Sequence, residues 1–362
     1  MGIWYYFKKT IRNEVSGMKK LTWKYMQWQL SKSKKEMKKR RKENIARQKS
    51  ARRKEEVTLS GYNSSRKYIG DSVIAPKVLS VFENSSETLS FFKNVSDKIR
   101  LQKYRGRIYF DLSNVVTVTV DAIMYLIATI KNTKRAKALN LEFSGNVPTD
   151  NDAKNIFETC GFYNYVSPQY NIQNSTHNKR ISITHGREAD PVLAGKICEF
   201  VHTCSNCDRL ITKPLYTLIM ELMTNTKQHA YNNNTRMENN WYVFVEDHKS
   251  YMYFVFLDTG AGIPNTIRTN GLLEKIKNTL NWDDSYFIAS ALRGELRSET
   301  KLDYRGQGLP EIYVKATSQY INDFSIISGY GKCSVHSTGE INKMQLSSEL
   351  IGTILSWKIY KQ

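Results

Sequence analysis

The residues best suited to chemistry fall in four short clusters within the last 150 positions of this 362-residue chain. The first is Glu221-Leu222-Met223-Thr224-Asn225, continued by Thr226-Lys227-Gln228-His229. On a helix, a spacing of four stacks Glu221 and Asn225 on one face, a turn apart. A carboxylate and an amide oxygen so placed can hold a water and a Mg²⁺ side by side, with the carboxylate taking the proton. Alone, such a pair is more often two solvated polar residues. The second cluster is Asp258-Thr259-Gly260-Ala261-Gly262-Ile263-Pro264, which follows directly on a strand-like run. An Asp at a strand end can accept a hydrogen bond from an exocyclic amino group, and the glycines let the backbone approach a ligand. The third, Arg305-Gly306-Gln307-Gly308-Leu309-Pro310, is a Gly-rich turn opening a helix, whose unpaired N–H groups form an anion site for phosphates. The fourth is Gly352-Thr353, between two strand-like stretches at 346–351 and 354–359.

These clusters need elements to carry them. A helix is expected to start near Thr212-Lys213-Pro214, where Pro suits the first turn, with Leu215, Leu218, Ile219 and Leu222 as its buried stripe. Residues 241–246 and 251–257 are rich in aromatic and β-branched types and read as a hairpin turning at 247–250. Upstream, 107–112 and 139–143 read as strands. Residues 121–132 read as a helix with Ile123, Met124, Ile127 and Ile130 at helical spacing, and 150–160 as a helix ended by Gly161. That βαβα order predicts an α/β unit with a mixed or parallel sheet. Residues 1–68 form a separate compositional unit. Its stretch 18–56 lacks Pro and is rich in helix formers, predicting a long basic helix, with Gly61-Tyr62-Asn63-Ser64-Ser65 as a linker.

The formal charge of +20 belongs mostly to that arm: residues 1–60 hold 19 Lys/Arg and 5 Glu, hence +14, whereas the rest holds 35 basic and 29 acidic residues, hence +6. Trp4, Tyr5, Tyr6, Phe7, Trp23, Tyr25 and Trp28 are interleaved with or precede the cations. Three readings fit: nucleic-acid binding through phosphate neutralisation, adsorption to an anionic membrane surface or an acidic protein, or a solvated arm that keeps the protein soluble. No apolar run is long enough to span a membrane, and no signal peptide is expected. Tyr6 where myristoylation needs Ser or Thr argues against that anchor. Five cysteines, an odd number in a long chain, suggest free thiols and a cytoplasmic location. Cys204 and Cys207 form a CxxC near Cys198 and His202, but a second ligand pair with zinc spacing is missing, so the plainer reading is small residues around a helix end.

Taken in order, the four clusters resemble the N-box, G1-box, G2-box and closing GT of the GHKL superfamily, the ATPase and kinase domain of gyrases, heat-shock chaperones, histidine kinases and MutL proteins. The resemblance covers 171–362. It implies a Bergerat-type α/β sandwich, with an antiparallel-rich sheet and helices on one face, binding ATP and Mg²⁺. It implies that Asn225 coordinates Mg²⁺ and that Asp258 holds the adenine. Gly260 and Gly262 shape the base pocket, Gly306 and Gly308 cradle the phosphates, and Thr353 supports the adenine end. Glu221 takes the general base's place, and 265–304 becomes a mobile lid. The chain departs from histidine kinases at Gln228, where a cation usually precedes the N-box His. Nor is a counterpart expected for the catalytic lysine that gyrase and MutL supply from a following domain.

Preceding it, Phe110-Asp111-Leu112-Ser113 with Val115 and Asp121-Ala122-Ile123 make 69–170 resemble a STAS domain, the fold of anti-sigma-factor antagonists. Asp121 stands where such antagonists carry a phosphorylatable Ser, which implies a docking or sensing module for a protein partner; a helix N-cap is the other reading of Asp121. The overall expectation is an α/β protein in three parts: a basic helical arm (1–68), a STAS-like domain (69–170) and a GHKL ATP-binding domain (171–362), with homodimer formation in keeping with GHKL habits. Three functions remain open: an ATPase switch, a serine kinase of the partner-switching type, and an ATP-binding interaction module without turnover. Autophosphorylation on His is disfavoured, because the first His is His177.

Overall fold

The computed structural model describes residues 71–103, 106–166, 179–205, 209–228, 235–268, 283–295, 308–317 and 321–361. The basic arm, its linker and the boundary near 170 lie outside them, as do Cys207, His229, Arg305 and Gly306.

The N-terminal half of the described chain runs β1 (Asp71–Ile74), β2 (Val78–Leu79), α1 (Ser85–Leu101), β3 (Arg107–Asp111), β4 (Thr117–Val118), α2 (Val120–Asn132), α3 (Lys134–Ala138), β5 (Glu142–Gly145), α4 (Asn151–Thr159) and α5 (Tyr163–Val166). Strands β1, β3 and β5 form a parallel sheet in that order, and β2 pairs with β4, also in parallel. The expected α/β unit with a parallel sheet is therefore present. The predicted strand at 139–143 is displaced to Glu142–Gly145. The reason is local: Leu139 caps α3 and Asn140 takes a left-handed φ of 48°. Asp150 caps α4 through its side chain, accepting from the N–H groups of Asp152 and Ala153.

Asp121 is no N-cap. It sits inside the first turn of α2, after the extended Thr119. Its Oδ2 accepts from the N–H groups of Val81 and Phe82 at 2.8 and 3.0 Å, so this buried carboxylate fixes the loop after β2. Burial raises its proton affinity against those donors.

The C-terminal half runs β6 (Arg180–Gly186), α6 (Pro191–Ser205), α7 (Arg209–Gln228), β7 (Trp241–Asp247), β8 (Tyr251–Asp258), α8 (Ile263–Arg268), α9 (Asp284–Leu292), α10 (Gly308–Ala316), β9 (Asn322–Val335) and β10 (Ile341–Tyr360). The five strands make one antiparallel sheet in the order β6-β7-β8-β10-β9. Helix α7 begins at Arg209, earlier than expected, so Pro214 lies within it. The stretch 265–304, expected to be a lid, contains the buried helix α9. Its residues Phe287, Ile288, Ala291 and Leu292 are buried, and the i, i+1, i+4, i+5 spacing of that set is a helical signature.

Both faces of the antiparallel sheet are buried, which is why its strands read as nearly unbroken apolar runs. Trp241, Val243, Val245, Phe254, Phe256 and Trp357 point to one face, beneath α6, α7, α9 and α10; Phe254 and Trp357 stack at 5.0 Å. Tyr242, Phe244, Val255, Leu257 and Ile354 point to the other face, into a core shared with α1 and α2. Each such aromatic buried contributes about 1.5–3 kcal/mol. Helix α2 is apolar and buried almost all round, the pattern of a helix enclosed on every side. Accordingly Ile69–Gln362 is one compact unit. Among the described residues no helix is long and apolar enough to cross a membrane.

Candidate functional site

The hairpin β7–β8 places Asp258 at the end of a strand with Trp241 on one side and Thr353 of β10 on the other. Two motif residues about a hundred positions apart in sequence are thus direct cross-strand neighbours. Immediately beyond, the chain turns at Thr259-Gly260, and the Gly260 N–H donates to Asp258 Oδ1 at 3.0 Å. From the helical layer, the buried Thr226 hydroxyl donates to the Leu222 carbonyl at 3.2 Å and lies near enough to the Asp258 carboxyl to favour its charged form. Because Thr226 follows Asn225 on α7, this proximity sets the end of the helix carrying Glu221 and Asn225 beside the end of β8. Burial raises the Asp258 pKa to about 6, opposed by the Gly260 N–H and the Thr226 hydroxyl.

Gly352-Thr353 is not a break between two strands, as the sequence suggested, but a bulge inside the continuous strand β10. Leu350 pairs with Gly329 and Thr353 with the adjacent Ser328, so Ile351 and Gly352 are the extra residues. Gly352 has φ 97°, and a Cβ on it would lie 2.0 Å from the Asp258 carbonyl oxygen and 3.0 Å from Thr259 Cα. Only glycine lets β10 come that close behind the Asp258 turn. Gly352→Ala is therefore expected to destabilise the fold by on the order of 2 kcal/mol through backbone strain and forced separation of β8 and β10. Thermal denaturation checks this, and an unchanged Tm would contradict it.

Ser328, which the sequence motifs did not include, ties the bulge to the Gly-rich turn. Its Oγ accepts from the Ile263 N–H at 2.9 Å, lies 2.8 Å from the Gly352 carbonyl oxygen and 2.9 Å from Thr353 Oγ1. A Cβ on Gly262 would press on this hydroxyl at 2.9 Å. The signal that could have found it is the Ser328-Gly329 pair interrupting a β-branched run, which marks a bulge. Thr226 had no signal beyond standing next to Asn225.

Glu221 and Asn225 are both partly buried on α7. Helix α10, which begins at Gly308, packs against α7 through Ile312 and Leu309, which share a core with Leu222 and Met223. Burial first, and then the charge of Glu311 on α10, raise the pKa of Glu221, while Lys315 acts in the opposite sense; Lys315 and Glu311 pair at 3.8 Å. The structure therefore brings Asp258, Gly260, Gly262 and Thr353 into one locality, sets the Glu221/Asn225 helix beside it, and brings the start of α10 to that helix. Gly306 lies outside the described residues.

The donor and acceptor set can be tested against a purine nucleotide. The Gly260 N–H takes one lone pair of Asp258 Oδ1, and a carboxylate has further lone pairs that can accept from an amino group. A Cβ on Gly260 would lie 3.2 Å from both carboxylate oxygens, where it would crowd such a ligand. Asn225 and Glu221 are hard oxygen donors suited to Mg²⁺ and its waters. Among the described residues no three His, Cys, Asp or Glu side chains cluster as a protein-only metal site. No protein-family model matches the sequence, and no curated protein is significantly similar to it, so the functional reading rests on these residues and their geometry.

Proposed function

We propose that 171–362 is a GHKL-type nucleotide-binding domain of Bergerat architecture, that it binds Mg-ATP, and that the protein is an ATPase switch whose nucleotide state is felt by the STAS-like segment before it. The observation that carries this reading is the convergence of motifs distant in sequence. Asp258 and Thr353 face each other across β8 and β10, Gly262 and Gly352 close around Ser328, and Thr226, next to Asn225 on the helix that carries Glu221, lies near the Asp258 carboxyl.

In this scheme Asp258 accepts from the adenine amino group, Gly260 and Gly262 admit the base, and the start of α10 faces the phosphates. Asn225 holds Mg²⁺, which neutralises phosphate charge when bound. Glu221 takes the proton of the attacking water. A carboxylate at Glu221, partly buried one turn before Asn225, favours turnover over a purely structural nucleotide, since it offers a base where a structural site needs none. Titration calorimetry of the full-length chain with ATP, with and without Mg²⁺, tests the reading. Binding strengthened by Mg²⁺ is expected, and no heat of binding in either condition would refute it.

A further inference from the structure

The turn after Asp258 and the Ile351–Gly352 bulge are both supported by one helix of the N-terminal half. Helix α2 touches both. At its middle, the Tyr125 hydroxyl accepts the N–H of Ile351 at 2.8 Å. That N–H belongs to the bulge residue before Gly352, which the β9–β10 ladder skips. At its end, Asn132 is buried. Its Oδ1 accepts from Asn240 Nδ2 at 2.8 Å, its Nδ2 reaches Thr259 Oγ1 at 3.4 Å, and its carbonyl accepts the Glu238 N–H at 2.8 Å. Thr259, wholly buried beside Asp258, accepts from the Asn240 N–H at 3.0 Å and donates to the Glu238 carbonyl at 2.6 Å. An antiparallel bridge between Thr133 and Met237 extends this join.

A helix that merely filled the core would need only its apolar face. Two polar side chains of α2 are instead engaged, without exposure to water, by the backbone and side chains of the two turns that flank Asp258. Buried hydrogen bonds of this kind are costly to break, because the partner is left desolvated and unpaired. Resting on the nucleotide-site reading above, we propose that Tyr125 and Asn132 are positioning residues for that site: α2 holds the Asp258–Gly260 turn and the Ile351–Gly352 bulge in the conformation that receives the base. The α/β segment is then a working part of the pocket, and any partner that shifts α2 alters nucleotide affinity.

The test uses the full-length chain with Tyr125→Phe, which keeps the ring in the core, and Asn132→Ala. Two readouts are taken: amide hydrogen exchange without nucleotide, and Mg-ATP affinity by calorimetry. Expected are exchange at 258–262 and 351–353 faster by about tenfold or more, with the rest of the sheet unchanged, and Mg-ATP binding weaker by about tenfold in each variant. Wild-type affinity in Tyr125→Phe despite faster exchange at Ile351 would overturn the proposal, as would exchange that rises uniformly or not at all. Should Asn132→Ala fail to fold, Tyr125→Phe and Asn132→Ser decide the matter. Should the wild type bind no Mg-ATP, the nucleotide reading fails, and the positioning claim stands or falls on whether the exchange change stays confined to the two turns.

Discussion

Replacing Glu221 by Ala or Gln is expected to lower Mg²⁺-dependent ATP turnover by about 10²–10⁴-fold, the usual contribution of a positioned general base, while leaving nucleotide affinity within about threefold of wild type. The carboxylate sits partly buried on α7, one turn before Asn225, beside a helix that brings a second carboxylate, Glu311. Burial and that neighbour both make Glu221 hold its proton more tightly than a free glutamate. The sign follows directly. With a raised pKa, the basic form is lost earlier as the pH falls, so the acid limb of the turnover profile lies above the ordinary glutamate range. Glu311→Gln removes a raising charge and moves that limb to lower pH. Steady-state turnover across mildly acidic to neutral pH measures both effects. Glu221→Gln turning over like the wild type would remove Glu221 from the chemistry.

Asp258→Asn is expected to weaken Mg-ATP binding by at least about 100-fold while stabilising the protein without nucleotide. Gly260 already donates to Oδ1, so Asn must keep its oxygen there and turn its NH₂ group to the pocket. A donor then meets the amino donor of adenine, where the carboxylate offered an acceptor. Stability moves the other way. In the folded state the Asp258 pKa is raised to about 6, so the native protein binds the extra proton more tightly than the unfolded chain does. The stability linked to this group is thus fully present at low pH, falls as the pH rises from the unfolded value to about 6, and remains low above it. At neutral pH the buried charge costs about 2 kcal/mol, since a tenfold change in proton affinity is worth about 1.4 kcal/mol and the side chain's remaining access to water trims the total. Asn carries no such cost, so a higher Tm for Asp258→Asn at neutral pH, converging with wild type in acid, is expected by calorimetric scanning. Unchanged affinity would mean that Asp258 does not read the base.

The two variants separate the roles proposed for Glu221 and Asp258. One is expected to lose the chemical step and keep the ligand; the other is expected to lose the ligand and gain stability. A function–stability exchange of this kind is expected of a partly buried, incompletely compensated carboxylate that serves a ligand. Asp121 offers an internal contrast. It too is buried with its proton affinity raised, but it is tied to the Val81 and Phe82 N–H groups and has a structural task.

By itself, the amino-acid sequence specified what depends on neighbours along the chain. The β7–β8 hairpin and the helices α2 and α4 were legible because alternation and helical spacing are local patterns. Residue type and spacing, read across all four clusters together, also singled out Glu221, Asn225 and Asp258 as candidates. Folding alone decided the rest. That Gly352-Thr353 is a bulge follows from the register of β10 against β9, which no single strand encodes. That 265–304 contains a buried helix follows from the core available to Phe287 and Leu292. Ser328, Tyr125 and Asn132 matter only because Gly352, Ile351 and Asn240 lie beside them, between 24 and 226 positions away along the chain. A hydroxyl or amide that completes a distant backbone group leaves no periodic trace. Its role arises from burial, which removes the water that would otherwise satisfy that group.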